Sequence, residues 1–164
     1  MIMKTTTQLV KIDSYYLADF ILKNYGPMSH LKLQKLLFYC DAYHLAYFDE
    51  ELITDKFEAW VHGPVSRKIY DRLKDRSKLY SDLSFDTAND DPQVEFEKLT
   101  LDQQDLISQI LGELSTWSGL ELESATHREK PWISARQGCA EGSKCTNLIS
   151  KDLTLLYYSS EING

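Results

Sequence analysis

The chain has 164 residues and a net charge of −7, and 43% of its residues are hydrophobic. This length suits one domain of about 100–200 residues, and the composition is that of a globular protein. Residues 1–80 hold 12 basic and 10 acidic side chains, a net +2, whereas residues 81–164 hold 6 and 15, a net −9. The acidic half repels phosphate backbones, so direct nucleic-acid binding is not expected, and it attracts a basic protein partner.

The sequence also argues against membranes and secretion. No apolar run approaches the ~20 residues that a membrane-spanning helix requires, and the first residues lack the apolar segment of a secretion signal. Three cysteines, Cys40, Cys139 and Cys145, do not make a disulfide scaffold. We therefore expect a cytoplasmic protein with free thiols and no membrane partner.

Two helices are predicted in the first third of the chain. Asp13 is a suitable N-cap, and the apolar stripe that follows predicts a helix that ends at Gly26-Pro27. Ser29 is the predicted cap of a second helix over residues 30–48. Its apolar residues cover more than one face, which is typical of a helix at the centre of a domain.

The next part of the chain has weaker patterns. Alternation of apolar and polar residues predicts a short strand over residues 57–61. Gly63-Pro64 suits a turn followed by the first turn of a helix, so a third helix is predicted over residues 65–76. Residues 77–98 have the composition of an acidic, mobile loop, with a short strand at residues 94–96.

Capping residues predict the remaining helices. Thr100 begins a helix over residues 101–117, and Ser118 begins a shorter one that ends near His127. Pro131-Trp132 interrupts the pattern, and a final helix is predicted over residues 150–158.

Together these elements predict a mainly α-helical, compact single-domain fold around the central helix. The domain is expected to cover residues 13–164, after an extended arm at residues 1–12. A small strand pair is predicted near residues 52–62 and 94–96.

Several short motifs occur in one order along the chain. They are Leu33-Gln34-Lys35-Leu36-Leu37-Phe38-Tyr39, Glu58-Ala59-Trp60, Gly63-Pro64-Val65, Tyr70, Thr126-His127, Pro131-Trp132 and Arg136. In this order and spacing they resemble the Panacea domain, also called the SocA-like or GepA (phage-associated protein) antitoxin domain. The resemblance extends from Tyr16 to Tyr158.

The resemblance implies a bacterial antitoxin that is not an enzyme, needs no cofactor or metal, and binds a cognate protein toxin encoded next to it. The SocA member is described as an adaptor that delivers its toxin to a protease, so a protease is a further partner to consider, as is the role of a prophage-encoded regulator. Some members carry an extra N-terminal helix-turn-helix domain. Only the short arm precedes the first predicted helix here, so that module is not expected.

Six residues are predicted to contact the partner: Glu58, His62, Tyr70, Arg72, Trp132 and Arg136. They combine the aromatic and charged side chains that dominate binding interfaces. Glu58 lies on a mostly apolar segment, so it must be exposed or paired, with Lys35 and Arg136 as candidate partners. The basic segment at residues 67–78 fits a contact with nucleic acid or with an acidic toxin surface, or a solvated helix face, and we favour the last.

Two chemical alternatives are weaker. His127, Cys139 and Cys145 lack the closely spaced cysteine pair and the fourth ligand of a structural zinc site. Cys40 and His44 lie one helical turn apart and can meet, but no oxyanion donor or third orienting group accompanies them. A binding module is therefore preferred over a hydrolase.

Overall fold

The structure, a computed structural model, describes residues 8–163, and helices account for 54% of these residues. The helices in this range are α1 (Ser14–Tyr25), α2 (His30–Phe48), α3 (Arg67–Leu73), α4 (Pro92–Phe96), α5 (Leu101–Leu114), α6 (Gly119–His127), α7 (Lys130–Ala135) and α8 (Lys151–Asn163). The strands are β1 (Met28–Ser29), β2 (Phe57–Trp60), β3 (Gly63–Ser66) and β4 (Asp82–Leu83). The predicted mainly α-helical fold is confirmed.

Helix α2 is the centre of the fold, as its apolar pattern predicts. Leu33, Leu36, Leu37 and Cys40 on this helix are fully buried. Around it lie α1, α5, α6, α8 and the strand β3. Residues 1–7 of the predicted arm lie outside the described part of the chain, and the predicted domain boundaries stay predictions.

Four helix starts predicted from capping residues are confirmed. In each case the capping side chain accepts a hydrogen bond from a backbone N–H two or three residues further on, which satisfies a donor that the helix itself leaves unpaired. The caps are Asp13, Ser29, Thr100 and Ser118. The predicted ends are less accurate, because α5 ends at Leu114 and α8 continues to Asn163.

The predicted strand at residues 57–61 exists as β2, but its partner was wrongly predicted. β2 pairs with β3 in an antiparallel hairpin in which Phe57 lies opposite Ser66 and Trp60 lies opposite Gly63. Residues 94–96 are helical and belong to α4, whose start is capped by Asp91. An Asp-Pro pair is a better helix start than a strand, since the carboxylate caps and proline suits the first turn.

The predicted start of the third helix at Gly63-Pro64 is also wrong. These residues open β3, and α3 begins only at Arg67, where the Ser66 side chain accepts a hydrogen bond from the Ile69 backbone. Residues 77–98, predicted as a loop, contain β4, which pairs with β1, and the helix α4.

The outer edge of β2 is covered by a later part of the chain. The Ala59 N–H donates to the Asn147 carbonyl at 2.8 Å, and the Ile149 N–H donates to the Phe57 carbonyl at 2.8 Å. Glu58 and Leu148 form an antiparallel bridge between these two bonds. The segment before α8 thus adds a third, irregular strand to the hairpin.

Within residues 8–163, no helix has the length and the apolar character needed to cross a membrane.

Candidate functional site

The β2–β3 hairpin pairs Glu58 with a cation that the sequence did not suggest. The Arg67 guanidinium donates to Glu58 Oε1 at 3.0 Å, and the Trp60 indole N–H donates to the same oxygen at 2.8 Å. The predicted partners Lys35 and Arg136 are therefore wrong. The hairpin itself explains the difference, because it brings the chain back beside Glu58 at the start of α3.

Gln34 and Lys35 from the motif on α2 hold the outer edge of β3. The Gln34 side chain accepts a hydrogen bond from the Ser66 N–H at 2.9 Å and donates to the Ser66 carbonyl at 3.3 Å, as a neighbouring strand would. Lys35 Nζ donates to the Pro64 carbonyl at 3.2 Å. Two side chains of the central helix therefore fix the position of the hairpin.

Lys35 is fully buried below this hairpin. Burial lowers its pKa to about 7, and the nearby charge of Glu123 opposes part of that shift. The same carboxylate also lies beside the turn of the hairpin, where His62 Nδ1 is 3.2 Å from Glu123 Oε1. A polar cluster thus connects the buried lysine with the exposed turn of the hairpin.

Aromatic side chains from three elements meet above the cluster. The ring of Trp132 stacks on His127, with centroids 4.1 Å apart, and its indole N–H donates to the Trp60 carbonyl at 2.8 Å. The ring of Trp60 meets Tyr70 edge-on at 4.8 Å. Burial lowers the pKa of His127, which favours the neutral ring in this stack.

We use the term hairpin face for the surface formed by Trp60, Val61, Tyr70, Trp132 and Ile133. Its rings are held by neighbouring groups on one side and reach solvent on the other. Ile133 is 46% exposed at the edge of this face.

Arg136 supports the hairpin face from below. Its side chain donates to the carbonyls of Ala59 at 2.7 Å and Ser143 at 2.5 Å, so it joins β2 to the loop at residues 137–147. Only 8% of the residue is exposed. The structure therefore places Arg136 as a support of the loop.

The same loop contains a disulfide between Cys139 and Cys145. The prediction of free thiols at these two positions is wrong, because the loop folds back and brings both sulfurs together. Cys40 remains a buried thiol.

Two clefts open on either side of Val61. The first has a volume of about 530 Å³, and its lining includes Val61, His127, Trp132, Ile133 and Glu141. The second has a volume of about 390 Å³, and its lining includes Trp60, Val61, Arg67, Tyr70 and Lys144. Such concave, partly apolar surfaces suit inserted side chains of a partner.

The six predicted contact residues are not all brought together. Tyr70 and Trp132 belong to the hairpin face, Glu58 and Arg136 lie directly beside it, and His62 lies at the turn against Tyr80. Arg72 is elsewhere, with its guanidinium 4.0 Å from the ring centre of Tyr15 on α1. Contact between these residues and a partner stays a prediction.

Sequence reasoning missed other residues of this surface. Val61 and Ile133 each directly follow a tryptophan of a motif. An apolar residue in this position could have been predicted to share a surface with the tryptophan ring. Arg67 was noticed only as part of the basic segment at residues 67–78, and Lys144 carried no signal, because the positions of both depend on the hairpin and on the loop.

The chemical alternatives can be compared with the geometry. Both ring nitrogens of His44 are engaged: Nδ1 donates to the Glu50 carbonyl at 2.6 Å, and Nε2 accepts from Gln103 at 2.9 Å. Cys40 is fully buried, and burial raises the pKa of its thiol. Among residues 8–163 there is also no group of three or more His, Cys, Asp or Glu side chains arranged for a metal ion.

The family model described as "Antitoxin SocA-like, Panacea domain" matches residues 33–133, which is more than half of the chain. The chain belongs to this family. The matched range begins on α2, includes the β2–β3 hairpin and ends at Ile133, so it contains every residue of the hairpin face. Arg136, the disulfide loop and α8 follow the matched range of this Panacea domain. No curated protein and no solved structure matches the chain.

Proposed function

We propose that this Panacea domain neutralises a cognate protein toxin by direct, stoichiometric binding through the hairpin face. The observation that carries the proposal is that all five residues of the hairpin face lie within the range that the antitoxin family model matches. An antitoxin role requires a partner, and this face offers the aromatic anchors that interfaces use most.

The hairpin face is organised before any partner arrives. Trp132 is fixed by a hydrogen bond and by the His127 ring, and the backbone below it is fixed by Gln34, Lys35 and Arg136. Rings that are already ordered lose little conformational entropy on binding, so more of the contact energy is available for affinity.

The proposal describes a binding protein that is not an enzyme and works in the cytoplasm. The geometry around Cys40 and His44 supports the absence of thiol catalysis at this pair, because the imidazole is committed to two hydrogen bonds and burial keeps the thiol protonated. A nucleophilic mechanism needs a thiolate and an imidazole that is free to take its proton.

The first test is co-expression of this chain with the product of the neighbouring reading frame. We expect rescue of growth, co-purification in a fixed ratio, and an unchanged amount of toxin. A fall in toxin amount during rescue would instead favour a protease adaptor, and failure to rescue or to co-purify would refute toxin binding.

A matched pair of substitutions locates the contact. Ile133→Asp places a charge on the hairpin face and is expected to weaken binding roughly tenfold or more. Val94→Asp, at a 59% exposed position on α4, is the control and should bind like the natural protein. Equal affinities for both variants, measured by calorimetry, would remove the hairpin face from the proposal.

A further inference from the structure

A second concave surface lies between α2 and α5. It has a volume of about 290 Å³ and is lined mainly by apolar and aromatic side chains. We call it the tyrosine groove and define it by Tyr43, Tyr47, Leu106, Ile110, Leu114 and Trp117. Its lining shares no residue with the hairpin face. Tyr47 lies twelve residues beyond Lys35 on α2, or about 18 Å along the helix axis at 1.5 Å per residue.

Aromatic rings are partly exposed in the groove, whereas a helix face that contacts only solvent is usually polar. Tyr47 is 56% exposed at its rim. Tyr43 is half-buried, and its ring meets Tyr158 of α8 at 5.2 Å and Tyr39 at 6.2 Å. Trp117 closes one end. Tyrosine and tryptophan supply large contact areas at low entropic cost, as binding surfaces require.

One carboxylate lines the groove, and two more act on Tyr43, one of its lining residues. Glu113 on α5 lines it, Glu161 lies on α8, and Glu129 precedes α7. Burial, followed by the charges of Glu129, Glu161 and Glu113, raises the pKa of Tyr43 to about 12. The three carboxylates therefore all act on one tyrosine hydroxyl.

These carboxylates have no cationic partner in the part of the chain that the structure describes. The salt bridges between residues 8 and 163 involve other acids. Glu129 Oε1 accepts hydrogen bonds from the hydroxyls of Tyr39 at 2.6 Å and Tyr158 at 2.7 Å, and these donors are neutral. Burial raises the pKa of Glu129, and the charge of Arg128 opposes part of that shift. Among the described residues, Glu113 and Glu161 therefore carry negative charge at the groove without a salt bridge.

The combination of aromatic rings and carboxylates without salt bridges favours one kind of occupant. A lysine or arginine is attracted both by tyrosine faces and by carboxylates, and apolar side chains fill the remaining space between two helices, as in helix-in-groove recognition. An acidic segment or a nucleic acid would be repelled.

We propose that the tyrosine groove binds a cationic, amphipathic segment of the partner protein, with lysine or arginine beside large apolar residues. This inference rests on the proposed function, because the partner is the toxin, and it adds a second contact that the hairpin face does not provide.

The test uses a short synthetic helical peptide with leucine and lysine on one face, and a matched peptide with glutamate in place of lysine. Titrations followed by NMR are expected to shift the resonances of Tyr47 and Trp117 with the lysine peptide only. The double substitution Glu113→Lys with Glu161→Lys should weaken this binding roughly tenfold or more.

The matched control is Asp75→Lys with Glu97→Lys, which changes the net charge equally at two exposed positions away from the groove. We expect it to bind the lysine peptide almost as well as the natural protein. If the reversed charges prevent folding, Glu113→Gln with Glu161→Gln and the single change Tyr47→Ala test the same point. Equal losses in groove and control variants, or no saturable binding, would overturn the inference.

The two proposals fail in different ways. If the chain does not silence the neighbouring toxin, the proposed function fails, whereas the peptide titration still decides what the groove binds. If the toxin is bound and silenced equally well by the groove variants, the groove has no part in recognition and only this inference fails.

Discussion

Lys35 holds β3 in place through a hydrogen bond, but burial of its charge lowers the stability of the folded state. Its ammonium group is fully buried and bonded to the Pro64 carbonyl. A buried cation loses its hydration, and one carbonyl with a nearby carboxylate only partly replaces it. The lowered pKa is the measurable sign of that cost.

The pKa of Lys35 predicts how stability depends on pH. The folded protein releases the proton near pH 7, whereas the unfolded chain keeps it until about pH 10.5. Between these values the unfolded state binds one proton more, so the free energy of unfolding rises with pH by up to about 1.4 kcal/mol per unit. Lys35→Met should remove this slope, as urea unfolding between pH 7 and 10 would show.

The exposed lysine Lys78 provides the control for that experiment. Lys78→Met should leave the slope unchanged, because this side chain is hydrated in both states. If the natural protein and Lys35→Met gave parallel curves of stability against pH, the buried lysine would not titrate in this window.

At the residue scale, the sequence predicted correctly that the Glu58 carboxylate needs a cation or water, but it did not predict which cation pairs with it. A carboxylate on an apolar segment needs a cation or water, and this argument identified Glu58 correctly as a residue to explain. Arg67 becomes its partner only because the hairpin turns at residues 61–62. Arg136 was placed among the contact residues by its motif, and its bond to the Ser143 carbonyl depends on a loop whose path the sequence did not reveal.

At the element scale, helix starts were predictable and the second strand was not. Asp13 and Thr100 act on backbone groups two or three residues away, so the relevant physics is local. β3 contains a glycine and a proline, which are both unfavourable in strands. Its backbone is satisfied by Gln34 and Lys35 from α2, about thirty residues away in the sequence.

Gly63 provides a test of the hairpin. Its φ angle of 109° is unfavourable for residues with a Cβ atom. An added Cβ would lie 2.9 Å from Thr126 Oγ1 and would collide with the Lys35 side chain. Gly63→Ala should therefore lower the free energy of unfolding by about 2 kcal/mol or more, measured by urea denaturation.

Gly112 on α5 is the matched control, since an added Cβ there meets nothing within 4 Å. Gly112→Ala should stabilise the protein by about 0.5–1 kcal/mol, because alanine favours the helix more than glycine does. Equal effects of the two changes would show that the hairpin does not need glycine at its turn.

At the scale of the whole molecule, the last helix completes the core around the first half of the chain. Tyr158 on α8 is 1% exposed and meets Phe38 and Tyr39 of α2 edge-on. Lys151, at the start of α8, forms a 2.9 Å ion pair with the buried Asp41. These contacts join α8 and α2 in one core.

Substitutions on α8 should therefore affect the stability of the whole protein. Tyr158→Ala is expected to cost about 3–5 kcal/mol, as other large-to-small changes in cores do. Far-UV circular dichroism and tryptophan fluorescence should report one common transition, since the three tryptophans lie outside α8. Two separate transitions would contradict a single cooperative unit.

Leu156 on the same helix is the control, because it is 66% exposed. Leu156→Ala should change the free energy of unfolding by less than about 0.5 kcal/mol. A comparable loss at both positions would mean that helix propensity, and not core packing, decides the contribution of α8.

Both outer edges of the β2–β3 hairpin already have hydrogen-bond partners within the protein. One outer edge is bonded to residues 147–149 and the other to Gln34 and Lys35. Another polypeptide therefore cannot readily add a strand to this hairpin, because the backbone groups at its edges are already bonded. This disfavours association by edge-to-edge strand pairing. Under the proposed function, recognition would use side chains, so we expect that a few surface substitutions can redirect binding while the scaffold stays the same.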